Sequence, residues 1–216
     1  MTRVERVADT LSRRLRAETK DAHVAAERSG IMRSLIRGTI TRAAYVALLR
    51  NLADIYRALE GELDRNAGLP ALAAVDLTAL RRLPRLLEDI SALDPTSAAS
   101  HPPPRSATCQ YVARLHELGE RAPDLLLAHA YVRYMGDLSG GQMLKSIVAI
   151  GLGLAEGVGT TFYDFPLIPD PESFKRDFRA ALDAAATGLS SPDALVQEAQ
   201  LGFAQHARLF EELAQL

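Results

Sequence analysis

Very little in this chain lends itself to sulfur chemistry: among its 216 residues Cys109 is the only cysteine. One thiol excludes an internal disulfide and a thiolate-built metal cluster. No uncharged apolar run reaches the ~18 residues that a membrane-spanning helix needs. No apolar N-terminal stretch resembles a secretion signal, and Phe210-Glu211-Glu212-Leu213-Ala214-Gln215-Leu216 carries no anchor. Charge of one sign is lacking too, and a net charge of −2 makes no case for nucleic acid or an anionic membrane. There is no phosphate-binding glycine loop ending in Lys-Ser or Lys-Thr and no His-Glu-x-x-His pair. Ser139 lies in Leu-Ser-Gly-Gly, not in a Gly-x-Ser-x-Gly elbow, which sets a hydrolase aside. The five histidines are preceded at three positions by Lys20, Ala98, Ala113, Leu126 and Phe203, so the Glu-x-x-His pair of di-iron bundles is missing. With no flavin or nicotinamide fingerprint, electrons for any redox step must come from outside. These absences leave a cytoplasmic enzyme or binding protein as the expectation.

What is present is a full core, with 48% hydrophobic and 24% charged residues. The apolar period is helical almost throughout and predicts about eight helices and no strand. Leu11, Leu15, Ala22 and Ala26 mark one face of a first helix that Gly30 ends, followed by a short piece from Ile31 to Arg37. Thr41 caps a long helix from Arg42 to about Asn66. Asp76 or Thr78 caps a fourth, which Pro84 kinks or restarts. A surface loop spans Asp94 to Arg105 and holds an exposed His101. Ser106 to Arg121 is helical, and Pro123 opens a helix running to about Ile150. An irregular connection covers Gly151 to Pro171. Helices follow from Glu172 to Thr187 and from Pro192, with Ser191 as cap, to the end. The reading is one all-α domain over residues 1–216, with 1–10 as a flexible extension.

Two helices carry residues suited to chemistry. Gly136, Gly140 and Gly141 interrupt an otherwise strong helix, each at about 1 kcal/mol relative to alanine. Gly136 and Gly140 share a face, so the helix is expected to be kept but bent, with its backbone bared for something flat to approach. Arg133 and Asp137 form a polar pair beside that gap, although helix-against-helix contact through small residues fits the same spacing. On the first helix Arg16, Lys20 and His23 fall at i, i+4 and i+7, and Glu27 follows four beyond His23. A histidine above two cations suits haem, whose iron takes an axial imidazole and whose propionates take Lys or Arg. From this helix alone a solvated basic stripe with an incidental histidine is the favoured reading. Spacing does not choose an iron ligand among His23, His129 and His206.

Taken together, the segments resemble a heme oxygenase of the soluble bacterial type. The resemblance rests on Leu15-Arg16-Ala17-Glu18-Thr19-Lys20-Asp21-Ala22-His23 and, most specifically, on Ala128-His129-Ala130-Tyr131-Val132-Arg133-Tyr134-Met135-Gly136-Asp137-Leu138-Ser139-Gly140-Gly141-Gln142. Weaker likeness runs through Tyr111 to Glu117, Phe174-Lys175 and Leu209 to Leu213. It implies an all-α fold that sandwiches heme b, both substrate and cofactor, between a proximal helix and a kinked distal helix. By motif match His23 is the iron ligand and Glu27 a nearby acidic residue. Gly136, Gly140 and Gly141 are the distal glycines. Asp137 holds a water network that Tyr56, Tyr111 and Arg133 extend. Arg16, Lys20, Tyr131, Lys175 and Arg179 lie on the propionate side, and Phe203 joins the cofactor contacts. His206 stands where some relatives carry Asn, a departure in the distal network. The implied reaction opens haem to biliverdin, ferrous iron and carbon monoxide, using O2 and electrons from a ferredoxin, flavodoxin or reductase. A non-catalytic haem carrier or sensor of the same fold is the alternative, and a cofactor-free helical interaction protein is a second.

Overall fold

A computed structural model describes residues 10–95 and 102–215; the expected flexible extension and the exposed His101 lie outside these, apart from residue 10. Eleven α-helices and no strand occur among the described residues: α1 (Leu11–Glu18), α2 (Lys20–Glu27), α3 (Gly30–Ile36), α4 (Arg42–Arg65), α5 (Pro70–Ala73), α6 (Leu83–Leu93), α7 (Ser106–Arg121), α8 (Leu126–Ala130), α9 (Gly136–Leu152), α10 (Pro171–Ala185) and α11 (Pro192–Leu213). Local chemistry sets many of the boundaries. Thr41, Asp170 and Ser191 each accept a hydrogen bond from a first-turn amide, and prolines fill the first turns of α5, α6, α10 and α11. The expected fourth helix resolves into a 3₁₀ turn at Thr78–Leu80 and a fresh start at α6, where Pro84 sits in the first turn.

Three boundaries differ from the sequence reading. The first helix is two. Thr19 turns its hydroxyl onto the carbonyl of Leu15 at 2.6 Å, the back-bonding that bends helices, and α2 begins after it. The stripe of Arg16, Lys20 and His23 therefore crosses a joint. Gly30 does not merely end a helix: it opens α3 with φ +38, and a Cβ there would lie 1.9 Å from the Phe210 carbonyl oxygen. Only glycine lets α3 and α11 come so close. Finally, Gly151 lies inside α9, which ends at Leu152 and is capped by left-handed Gly153.

α4 and α11 are the central elements. α4 packs on α6 and α7, and α11 packs on α2, α3, α7 and α8. The largest fully buried side chains include Tyr45, Tyr56, Tyr111 and Tyr134. Polar groups inside this core pin the connection after α9. The carboxylate of Asp89 accepts from the backbone N–H of Thr161 and of Phe162 at 2.8 and 2.7 Å. Arg82 donates to the Phe162 carbonyl at 3.0 Å and stacks 3.8 Å from the Phe165 ring centre. The Tyr45 hydroxyl donates to Gly159 O at 3.1 Å. The loop so fixed lies against α9: Gln142 donates to Tyr163 O at 3.0 Å, and Lys145 pairs with Asp164 at 2.7 Å.

Candidate functional site

The glycine-bearing helix is continuous but not uniform. A 3₁₀ turn at Pro123–Leu125 leads into α8, and a π-helical turn at Tyr131–Met135 joins α8 to α9. The irregularity thus sits in the five residues before Gly136, while the glycines themselves keep α-helical form. Such π turns are rare and collect at functional sites. A Cβ added to Gly136 or Gly140 would meet nothing within 4 Å. Helix packing is therefore not the reason for these two glycines. Gly141 differs, since its Cβ would touch the Tyr163 ring at 3.5 Å.

Beside this bare backbone Asp137 takes three hydrogen bonds. Arg133 Nη2 reaches its two oxygens at 2.9 and 3.2 Å, and the Tyr56 hydroxyl donates to Oδ2 in a short contact. Arg133 Nε also donates to Tyr56 OH at 3.3 Å, which closes the triangle. Burial pushes the Asp137 carboxyl above the ordinary aspartate range, although Arg133 and Tyr56 pull it down. Burial works against the Arg133 charge, but Asp137, Tyr56 and Tyr111 outweigh it and hold the guanidinium firmly protonated. Burial drives the Tyr56 phenol far up, so it stays a donor. The result is a carboxyl that takes a proton more readily than a surface aspartate does, with its orientation fixed on two sides.

The three candidate histidines separate. His129 is fully buried, and both its nitrogens are engaged, Nδ1 by the Tyr111 hydroxyl at 2.9 Å and Nε2 by Glu198 at 3.0 Å. That leaves no lone pair for iron. Burial alone would raise Glu198, but hydrogen bonds from His129 and Arg114 hold it at about 2. His206 is buried on α11 with Nδ1 on the Gly202 carbonyl at 2.9 Å. His23 alone has its side chain substantially open, at 46%, with Nε2 3.6 Å from Glu27 and its ring edge-on to Phe203 at 5.4 Å.

Of the expected propionate-side residues, Arg16 and Lys20 flank the joint between α1 and α2, Tyr131 lies near Arg16 and Arg179, and Lys175 and Arg179 are on α10. The half-buried Tyr131 hydroxyl is pushed up by burial and drawn back by Thr19, Arg179 and Arg16. Arg16 and Lys20 are exposed, and Lys175 is largely buried with its ammonium 2.5 Å from Glu172. The helices bearing His23 and the glycines do not pack mainly on each other: α2 lies on α11, α1 and α3, whereas α9 lies on the π turn, α3 and the 3₁₀ turn at Thr161–Tyr163. A separate surface depression lined by Gly30, Arg33, Arg37, Thr41 and Leu213 contains none of the predicted residues. Sequence reasoning missed Glu198, Arg82, Asp89 and Tyr163. Each acts across more than fifteen positions of chain on a group in or behind the site, so no local spacing announced it.

These residues suit haem: an open imidazole, cations at a helix joint, and a helix whose missing Cβ atoms leave room for a flat ring. Comparison with known proteins agrees. The family model described as heme oxygenase matches residues 9–212. A heme oxygenase of Pyropia yezoensis is 38% identical over 207 residues, covering 96% of this chain and 87% of the relative. The heme oxygenase structure from Leptospira interrogans superposes with a TM-score of 0.88 at 37% identity, covering 94% of this chain and 99% of the other. Heme oxygenase-2 of Synechocystis sp. PCC 6803, solved in complex with heme and NO, gives 0.90 at 32% identity, covering 94% and 85%. The chain belongs to the heme oxygenase family.

Proposed function

We propose that this chain opens haem to biliverdin, ferrous iron and carbon monoxide at the site between α2 and α9, as one catalytic domain working in the cytoplasm. Bound haem supplies the iron at which O2 is reduced and the porphyrin carbon that is attacked. The protein supplies the rest. His23 holds the iron from α2, with Phe203 bracing the ring and Glu27 within reach of its Nε2 edge. Arg16, Lys20, Tyr131, Lys175 and Arg179 gather the propionates. Gly136, Gly140 and Gly141 bring main chain over the opposite face, excluding bulk water and limiting where O2 lies. Asp137, oriented by Arg133 and Tyr56, holds a proton and passes it through water toward that face; Tyr111 extends the polar edge.

The observation that carries this reading is the conjunction of two open glycine faces with a mostly covered, doubly oriented carboxyl one residue from Gly136. A carrier needs the first, and only a reaction that consumes protons needs the second. The basic residues near α1 and α2 offer an acidic ferredoxin, flavodoxin or reductase a place to deliver electrons. Aerobic haem titration followed by ascorbate tests the function. Loss of the Soret band with formation of biliverdin is expected; a stable haem complex that yields no bilin makes the protein a carrier instead.

A further inference from the structure

The open stripe of α9 continues past its glycines. Gly136, Gly140, Met143 and Ile147 fall at i, i+4, i+7 and i+11, which lines them up along one side of the helix. The core side is elsewhere, at Leu138, Gly141 and Val148. The stripe is bare at Gly136 and Gly140 and closes at Ile147, whose Cγ2 lies 3.5 Å from the place a Cβ on Gly38 would take. Between the bare stretch and that corner Met143 is the one long side chain on the stripe. It is 59% exposed, whereas Met135 is buried and Met32 packs partly buried against the core. Met143 is thus the one exposed methionine among the described residues.

Two properties of a thioether meet at this position. It is soft and polarisable, so it packs well on the face or edge of an aromatic ring. It also reacts with peroxide where solvent reaches it, and the sulfoxide that results is polar and chiral. Burying the sulfoxide oxygen under a flat apolar ring takes its hydrogen bonds with water away. A methionine on a stripe shaped for such a ring therefore changes the ring's affinity when it is oxidised.

We propose that Met143 is a peroxide-modification site on the open stripe of α9, and that oxidation of its thioether to the sulfoxide lowers haem uptake. This rests on the haem-opening reading, in which O2 is reduced beside the stripe by electrons from outside. O2 that takes up two electrons and two protons and then departs leaves as hydrogen peroxide, the oxidant of the step. The sulfur gives an electron pair to one peroxide oxygen, the O–O bond breaks, and the other oxygen leaves as water with both protons. Sulfur is oxidised by two electrons and the peroxide is reduced by two. A thiol-dependent sulfoxide reductase reverses the change. Peroxide lost during turnover thus slows the next loading of haem.

The test treats ligand-free wild-type protein with hydrogen peroxide, maps added oxygen by peptide mass spectrometry, and then titrates with haem. Oxygen is expected on Met143 before Met32 or Met135, with haem affinity falling about tenfold. Met143→Leu treated in the same way is expected to show no peroxide-dependent fall, and untreated Met143→Gln to bind about as weakly as the oxidised wild type. Zinc protoporphyrin, a flat ring of the same outline, is expected to shield Met143 when bound beforehand. Full oxidation of Met143 with unchanged haem affinity overturns the proposal. So does an equal fall in Met143→Leu, or oxidation that runs as fast with zinc protoporphyrin bound. The haem-opening reading fails separately, through wild-type protein that yields no bilin, while the oxygen map and the titration are read without turnover and decide the Met143 site either way.

Discussion

Asp137 experiences two opposed influences: burial drives its carboxyl toward the protonated form, while Arg133 and Tyr56 draw it back. A group balanced in this way takes up a proton more readily than a surface aspartate does. Asp137→Asn keeps the shape and an oxygen for Arg133 but cannot exchange a proton. Haem affinity is expected to stay within about threefold while bilin formation drops about 100-fold, as loss of a general acid does; single-turnover spectroscopy reads both, and unimpaired bilin formation removes Asp137 from the proton path. Much of this residue-level picture was legible in the sequence because Arg133, Gly136, Asp137 and Gly140 lie within eight positions of one another. Tyr56 and Tyr111 came only through family likeness. Glu198 came not at all, since it meets His129 across 69 positions of chain.

For a single helix, α9 shows what local pattern can and cannot reveal. Spacing put Gly136 and Gly140 on one face, and the structure leaves that face open. Spacing could not locate the distortion, which lies in the π turn at Tyr131–Met135, where no residue type marks it. Nor could it separate a first helix into α1 and α2, since the agent is one threonine hydroxyl choosing a carbonyl over solvent. The open face has an energetic signature. Gly140→Ala adds a methyl group that meets nothing, so ligand-free protein is expected to gain up to about 1 kcal/mol from helix propensity alone. Gly140→Leu is expected to leave the ligand-free fold intact and abolish haem binding. Thermal melts without haem and titrations with it check the pair. A destabilised Gly140→Ala would mean the glycine serves packing after all.

Over the whole molecule, acid stability follows from the Arg114, Glu198 and His129 cluster that ties α7, α8 and α11 together. Glu198 sits at about 2 when folded, below the ordinary 4.5, so the folded state is favoured above the unfolded value and that advantage is lost as pH falls from about 4.5 toward 2. At about 1.36 kcal/mol per pH unit the full effect is roughly 3 kcal/mol, of which about 2 is gone by pH 3. Denaturant melts at pH 7 and pH 3 are expected to show that loss in wild type and little of it in Glu198→Gln, which starts lower at pH 7; parallel losses would assign acid sensitivity elsewhere. The order of helices and the all-α class were readable from apolar period and caps, whereas this cluster was not, because it depends on which helices become neighbours. One further consequence attaches to Gly30, whose main chain is pressed against Phe210 and whose amide is held by Glu211 at 2.7 Å. That weld clamps the start of α3 to the rod carrying both Phe203 and His206. A methyl group at Gly30 would pry that weld open, so Gly30→Ala is expected to loosen α3 from α11 and lower the melting temperature.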